Sequence, residues 1–566
     1  MQMKSDLMKQ STTKHPITDH STMIRSSGEA RWVYAAKCSD FETNNVRLVR
    51  VEGKQIALFK TNQGYRACDN RCPHEGYPLS QGSISEHSTS AGDCILTCNW
   101  HNWKFDLNSG DNLFGGDQLR TYPMEVRDQD IWVDITESPY AEQRATIEKS
   151  LREAFDDHEY DRIAREIARL IELGDDPLDV LRLAIQWSWR RLKFGWTHAY
   201  AGMADWLVLF DANKIDESKN DVEAQLVCLL ESIGHVSYDV LREIEYPYTE
   251  DSLNFDEAGF IQAIESEDES LAVAMIRGGL KSGLQFEDFE LALSQSALAH
   301  YNDFGHSLIY VTKAGELINR LGSVIAEPVL ISLVRSFVFA AREDKIPEFK
   351  AYASTLTVWN SIGNNRVPDN VEFDFNPKQW RTLGIAKALK TTLNCRHQAP
   401  EDLYTQWLTV NAINLLSFDI EQQNKVNVSI SGNVGWLDFT HAITFANAVR
   451  KQCRKFPQLW PQGLLQMACF SGRNVAFTTA EYELERWADT DFNSIFQMIM
   501  DHGQDEYIVS VHWLKLALAV KEEVVELPEP QARLLIAALN RFLNSPLKLK
   551  QTRRTAHQAR LFVSKH

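Results

Sequence analysis

Four residues near the start of the chain have the types and spacing to hold metal. They are Cys72 and His74 in "NRCPHEGYPLSQG" and Cys98 and His101 in "CNWHNWKFDLNSG". Each glycine-bearing loop contributes one thiolate and one imidazole, and Cys98 follows His74 by 24 residues. Two thiolates and two imidazoles suit a tetrahedral zinc ion. Zinc ribbons, however, commonly put both ligands of a pair in one Cys-x2-Cys knuckle, whereas each loop here is mixed. Two cysteines on one iron and two histidines on the other suit a [2Fe–2S] cluster. Zinc stays as the alternative on these residues alone.

Such ligands need a rigid scaffold, and the surrounding sequence reads as β. "RWVYAAKC", "VRLVRV", "QIALFKT", "YRACD", "CILTC", "WKFDL" and "IWVDI" are short runs rich in β-branched and aromatic residues, separated by turn signals such as "VEGK", "NQG" and "NSGDN". From "SPYAEQRATIEKSLREAF" onward the apolar spacing changes to three and four, as in "YDRIAREIARLIELG" and "QARLLIAALNRFLNS". "VNVSIS" is the main strand-like exception. The expected fold is multidomain. A flexible polar tail covers 1–30, an all-β domain 31–137, and a large mostly α-helical domain, as one body or two subdomains, covers 138–566.

The two loops, Cys72-Pro73-His74-x-Gly76 and Cys98-x-Trp100-His101, together with the "KFDLNSG" that follows, resemble the Rieske iron–sulfur family over about residues 31–136. The resemblance implies a [2Fe–2S] cluster with Cys72 and Cys98 on the buried iron and His74 and His101 on the outer one. A polar insertion, "SEHSTSAG", lengthens the interval between the loops, and its His87 reads as a solvent-facing residue. High-potential respiratory members carry an extra, disulfide-forming cysteine in each loop. Tyr77 and Trp103 occupy those neighbourhoods here. The resemblance is therefore to the ferredoxin-like, oxygenase-associated branch, with a lower potential expected. Cys68 and Cys94, each four residues before a ligand cysteine, read as small buried hydrophobes.

A Rieske cluster moves single electrons, so the remaining chain decides what they do. Ring-hydroxylating relatives bind mononuclear iron through an acidic residue followed by two closely spaced histidines. The sole His-x4-His here, His15 and His20, lies in the tail without an acidic partner, so that reading fails. The helical region has its own pattern. Asp303-Phe-Gly-His306 and Asp438-Phe-Thr-His441 each open an apolar helical run, with Tyr310 and Phe445 four residues beyond the histidine. An i,i+3 pair puts carboxylate and imidazole on one face, similar to the Glu-x-x-His of di-iron bundles. His198 with Asp205 seven residues on, and His512, also sit on apolar helical runs. The expectation is a second, non-haem iron held by Asp303, His306, Asp438 and His441, joined by His198, Asp205 and His512. The competing reading makes each aspartate a cap or first-turn residue. His300 is an alternative partner for Asp303, while His158 and His235 read as surface residues.

Composition bounds the function. A chain of 566 residues, 44% apolar and 24% charged, is globular, and its net charge of −18 disfavours nucleic acid and anionic membranes as partners. Nine cysteines give no disulfide framework, so a reducing cytoplasm is expected. No membrane span is expected. No dinucleotide fingerprint falls on a strand–turn–helix unit, which implies an external reductase. The expected protein is a cytoplasmic iron–sulfur oxidoreductase that passes electrons to its helical domain for O2-dependent oxidation of a small organic substrate. The alternative is an electron carrier or redox sensor whose helical part only docks or oligomerises.

Overall fold

The computed structural model describes residues 30–85, 94–213, 221–362, 375–489 and 491–564. The expected tail with His15 and His20, and His87 in the insertion, lie outside the described residues. The chain forms two compact units, Met1–Thr146 and Ile147–His566.

The described residues of the first unit form ten short strands: β1 (Trp32–Lys37), β2 (Val46–Val51), β3 (Lys54–Thr61), β4 (Gly64–Asp69), β5 (Ser83–Ser85), β6 (Ile95–Thr97), β7 (Lys104–Asp106), β8 (Thr121–Tyr122), β9 (Met124–Arg127) and β10 (Asp130–Asp134). They make three antiparallel sheets, ordered β1-β10-β9, β2-β3-β4-β8 and β5-β6-β7. Strand β3 shows why the sequence folds this way. Its centre, Ile56-Ala57-Leu58-Phe59, is buried at four successive positions. With a side-chain period of two, Ala57 and Phe59 join the core around the cysteine loops while Ile56 and Leu58 join a second core behind them. Cys68 and Ala67 on β4 divide the same way. Cys68 and Cys94 are fully buried core residues.

The second unit is helical and has one continuous hydrophobic core, running from Leu151 to Leu543. The "YDRIAREIARLIELG" run is the helix Tyr160–Leu173, stopped by Gly174 at φ 92°, a left-handed position that costs glycine little. "VNVSIS" is not a strand; its end forms a short 3-10 turn, Ile430–Gly432, because no neighbouring strand satisfies its backbone. No described helix is long and apolar enough to cross a membrane.

Four helices form a ring at the centre of this unit: His198–Ala212, His306–Leu321, Trp436–Lys455 and Tyr507–Glu526. We call them the His198, His306, His441 and His512 helices. The His198 and His441 helices each pack on both the His306 and the His512 helix. Thr197 caps the first by accepting from the Ala199 N–H at 3.2 Å, so His198 is its first residue. The Asp438 carboxylate caps the third by accepting from the Gly435 N–H at 2.9 Å.

Candidate metal centres

In the first unit, the two cysteine loops share one backbone design. The Cys72 N–H donates to Tyr77 O at 2.9 Å and the Gly76 N–H to Cys72 O at 2.7 Å. In the other loop, Cys98 N–H donates to Trp103 O at 2.7 Å and Asn102 N–H to Cys98 O at 2.9 Å. The fifth residue of each turn is left-handed, Gly76 at φ 75° and Asn102 at φ 62°. Glycine and asparagine are the residues that tolerate this conformation. The repeated turn places two cysteines inward and two histidines outward. Cys72 and Cys98 are buried and adjacent, and burial pushes the Cys72 thiol up to about 11 against the pull of the His74 backbone N–H. The His74 and His101 rings lie edge to face, 4.8 Å apart between centroids, and are part-exposed. His74 Nδ1 is buried without a hydrogen-bond partner. Inner thiols, outer imidazoles and an orphaned ring nitrogen are the donor set a [2Fe–2S] cluster of this type requires, so the residues fit it.

Aromatic rings brace the loops from outside. His74 stacks on Trp103 at 4.4 Å, and Tyr77 stacks on Trp100 at 5.9 Å. The Glu75 carboxylate accepts from Trp100 Nε1 at 3.3 Å and lies 3.7 Å from His101 Nδ1 and 4.0 Å from His74 Nε2.

In the second unit, His198, His306, His441 and His512 cluster, their neighbouring rings 4.3–5.0 Å apart between centroids. Nε2 of His198 and His306 are 3.1 Å apart, and Nε2 of His441 and His512 are 3.2 Å apart. One nitrogen from each of His198, His441 and His512 lies within 4.8 Å of the others. His306 donates its Nδ1–H to Asp303 O, and His512 donates its own to Ile508 O at 2.6 Å. Those bonds leave both Nε2 atoms as bare acceptors. Lys515 Nζ donates to His441 Nε2 at 3.0 Å, so that nitrogen is an acceptor as well. Two acceptor nitrogens thus face each other at 3.2 Å, and Lys515 satisfies the one on His441. All four imidazoles are held below their ordinary range by burial first and the Lys515 charge next, His306 at about 4. All four also sit in the first two turns of their helices, where the positive helix end disfavours imidazolium. Three neutral imidazoles, His198, His441 and His512, offer nitrogens to one point with His306 beside them, a donor set that suits an imidazole-preferring transition metal once Lys515 releases His441 Nε2.

The expected carboxylates are not part of this cluster. Asp303 Oδ1 accepts from Ala341 N–H at 2.7 Å, and the Asp303 N–H donates to Ala341 O at 3.0 Å. Asp438 caps its own helix and faces Arg473 Nη1 at 3.5 Å. Both do what short acids at helix starts do best, satisfying nearby amides, and are too short to turn inward as well. Asp205 points down the bundle to Lys313 Nζ at 2.7 Å. His300 pairs with Glu265 at 2.7 Å and Asp344 at 2.9 Å rather than with Asp303. His235 is buried, not on the surface, and stacks on Tyr507 at 5.1 Å; His158 is part-buried and meets Ser237 Oγ at 3.0 Å. Lys515 went unread in the sequence, although a lysine three residues after His512 in the apolar run "HWLKLALAV" is the signal that marks it. Burial pushes its amine down to about 7, against the pull of Asp205.

His306 is aimed by an unusual turn. Asp303, Phe304 and Gly305 are successive left-handed residues at φ 43°, 50° and 85°. For Asp and Phe this conformation costs on the order of 1 kcal/mol or more each. The Asp303–Ala341 pair of bonds and the Glu343 N–H to Tyr301 O bond at 3.0 Å hold it in place. A Cβ on Gly305 would lie 2.5 Å from Phe445 Cδ2. Gly305→Ala is therefore expected to lower the melting temperature and displace His306, lowering metal bound by the helical unit; unchanged metal content would show that the turn does not position His306.

Beside this turn a cavity of about 470 Å³ opens onto His198 and His306, walled by Trp196, Phe304 and Phe339 with Glu343 at its edge. Glu343 Oε2 is buried without a partner, and burial pushes the carboxyl up to about 8. Its folded-state affinity for protons thus exceeds that of the unfolded chain, and the neutral form is what folding favours. Native stability from this group falls as pH rises from about 4.5 towards 8, by no more than roughly 2–4 kcal/mol. Glu343→Gln removes that slope. The variant should gain stability relative to wild type as pH rises through this window in urea titrations, and parallel curves would contradict the buried neutral acid.

The Rieske [2Fe–2S] domain profile matches residues 31–122, and the rest of the chain has no family match. The chain is 32% identical over 84 residues to the ferredoxin subunit of 3-phenylpropionate/cinnamic acid dioxygenase from Photorhabdus laumondii, covering 14% of this chain and 74% of that one. It is 27% identical over 108 residues to the ferredoxin component of the naphthalene 1,2-dioxygenase system of Pseudomonas putida, covering 19% and 97%. It is 34% identical over 100 residues to 4beta-methylsterol monooxygenase of Methylococcus capsulatus, covering 16% of this chain and only 25% of that one. With the paired loops, buried cysteines and outward histidines, these likenesses place the chain, through residues 31–122, in the Rieske [2Fe–2S] family.

Proposed function

We propose that this protein is a Rieske oxidoreductase in which the cluster held by Cys72, His74, Cys98 and His101 supplies electrons to an iron held by His198, His306, His441 and His512, for O2-dependent oxidation of a small organic substrate. The observation that carries it is the clustering of four neutral imidazoles, three of them with nitrogens within 4.8 Å of one another, in a bundle that hydrophobic packing would otherwise fill. Iron bound there would supply dioxygen activation, the chemistry that a one-electron cluster lacks. The chain's own residues do the rest. Trp196, Phe304 and Phe339 bind an apolar body in the wide cavity and keep bulk water from the histidines. Glu343 holds a proton at the cavity wall. Backbone carbonyls of Asp303 and Ile508 orient the rings of His306 and His512. A separate reductase in the cytoplasm would refill the cluster with electrons.

The test is iron and acid-labile sulfide per chain on protein purified without air. Iron in clear excess over sulfide is the expected result. Equal iron and sulfide would leave the helical unit without iron and favour the carrier or sensor reading instead.

A further inference from the structure

The wide cavity beside His198 and His306 has walls of two kinds, and together they describe a ligand. Aromatic rings line it from the mouth inward. Phe194 and Phe339, 59% and 54% exposed, meet edge to face at 5.5 Å where the cavity opens to solvent. Trp196 and Tyr310, both buried, continue the lining with their ring centroids 5.6 Å apart. Neither phenylalanine belongs to the hydrophobic core, so core packing does not account for the pair.

The remaining chemistry of the wall is acidic. Asp303 and Glu343 both line the cavity, and no lysine or arginine does. Glu343 is 8% exposed, and its Oε2 is buried without a partner. Backbone amides of Phe304 and of Glu343 itself reach this carboxyl, and Asp303 Oδ1 accepts from the Ala341 N–H. Among the described residues neither acid has a cationic partner. The cations nearby are engaged elsewhere. Arg342 turns to Glu265 and Glu267 at 3.5 and 3.8 Å, and Arg473, over the Phe304 ring, faces Asp438 at 3.5 Å. Lys193 lies over the Phe194 ring at 5.2 Å and does not line the cavity. Two acids beside one apolar cavity, without a countercharge from the chain, suit a ligand that brings the positive charge itself.

We propose that this cavity takes a cationic amine carried on an aromatic or apolar body, with the ammonium held by Glu343 and Asp303 and the body against the aromatic rings. Aromatic faces attract a cation and carboxylates bond it strongly, whereas both would disfavour an anionic ligand. An amine that arrives neutral takes the Glu343 proton. One that arrives protonated displaces that proton to solvent, and both routes end in the same ion pair. With the ammonium fixed, the length of the body sets which of its atoms comes nearest His198 and His306. That the amine is a substrate rests on the reading that iron binds at the histidines; that the cavity binds it does not. Glu343 acts as a specificity-determining residue.

The experiment is isothermal titration calorimetry on full-length protein purified without air, with three probes of similar size. They are 2-phenylethylamine, a cation near neutral pH, 2-phenylethanol, which is neutral, and phenylacetate, an anion. Wild type is expected to bind the amine roughly ten- to a hundredfold more tightly than the alcohol, and phenylacetate most weakly. Glu343→Gln keeps the side-chain shape and should bring the amine down to the affinity of the alcohol, with alcohol binding unchanged. A merely structural role for Glu343 would instead weaken both ligands together. Should Glu343→Gln fail to fold, Ala341→Lys at the exposed rim tests the same preference. Its ammonium competes for the acids, so amine binding should fall roughly tenfold while alcohol binding stays. An alcohol or phenylacetate affinity equal to that of the amine in wild type would overturn the inference. Binding of none of the three, or an amine preference that survives Glu343→Gln, would do the same, and each leaves the iron reading untouched. Iron and sulfide on the same protein separate the two: iron equal to sulfide overturns the iron reading, and an amine preference kept there supports the binding site without the oxidation.

Discussion

Replacing His441 with alanine is expected to strip the non-cluster iron while leaving acid-labile sulfide at its wild-type ratio to protein. The effect should be among the largest available, because His441 is the hub of the cluster. Its ring lies 4.3 Å from His306 and 5.0 Å from His512 between centroids, and its Nε2, which Lys515 must release for metal to bind, is one of the three nitrogens that lie within 4.8 Å of one another. Without it Lys515 loses its acceptor inside an apolar bundle, and an uncompensated ammonium there repels a metal cation directly. Changes to groups that merely orient a ligand already cost about 10–100-fold in metal affinity, so loss of the ligand itself should exceed that. Oxygen uptake should fall in step with iron. Metal analysis on anaerobically prepared protein decides it: iron that stays in excess over sulfide in His441→Ala would remove the four-histidine site from the proposal. Asp438→Asn is the matched control, because Asp438 caps the same helix without entering the cluster; it should cost roughly 1 kcal/mol of stability and keep the iron.

Replacing His101 with alanine should abolish the Rieske-type EPR signal of the reduced protein while circular dichroism keeps its helical intensity. The ring occupies the outward tip of the second loop, and the loop's own turn is built from Cys98, Asn102 and Trp103 backbone bonds that do not involve the histidine side chain. Alanine therefore removes a ligand without removing the turn. Two cores in the first unit exclude the outer ring of His101 altogether, so the fold loses little packing. A retained signal would mean that another residue holds the outer iron; the nearest candidate is Glu75, whose carboxylate already lies 3.7 Å from His101 Nδ1.

Much of the first unit was legible in the chain itself. The cysteine–histidine loops announce themselves by residue type and spacing, and the turn they form is local: five residues, a left-handed fifth position, and glycine or asparagine to occupy it. Short runs of apolar, β-branched and aromatic residues between turn signals, as in "QIALFKT" and "YRACD", likewise mark strands without any knowledge of their neighbours. The short strands β5, β8 and β9 were not legible, because two to four residues carry no period and become strands only through their partners.

The second unit shows the opposite balance. Helical spacing identified its elements and put His198, His306, His441 and His512 on apolar runs, yet the Asp-x-x-His pattern misdirected the reading towards Asp303 and Asp438. Sequence spacing places two side chains on one face but says nothing of what that face meets. Asp303 meets the Ala341 amide, and Asp438 meets its own helix start. The sequence by itself determined the Rieske ligand loops, the β-then-α order and the candidate histidines, since each depends on residue types within a few positions of one another. Only the tertiary structure decided that four imidazoles spread over 314 positions of the chain cluster together, that Lys515 joins them, and that a wide cavity reaches His198 and His306. Those facts depend on which helix faces pack together, and packing is a property of the assembled core rather than of any segment in it.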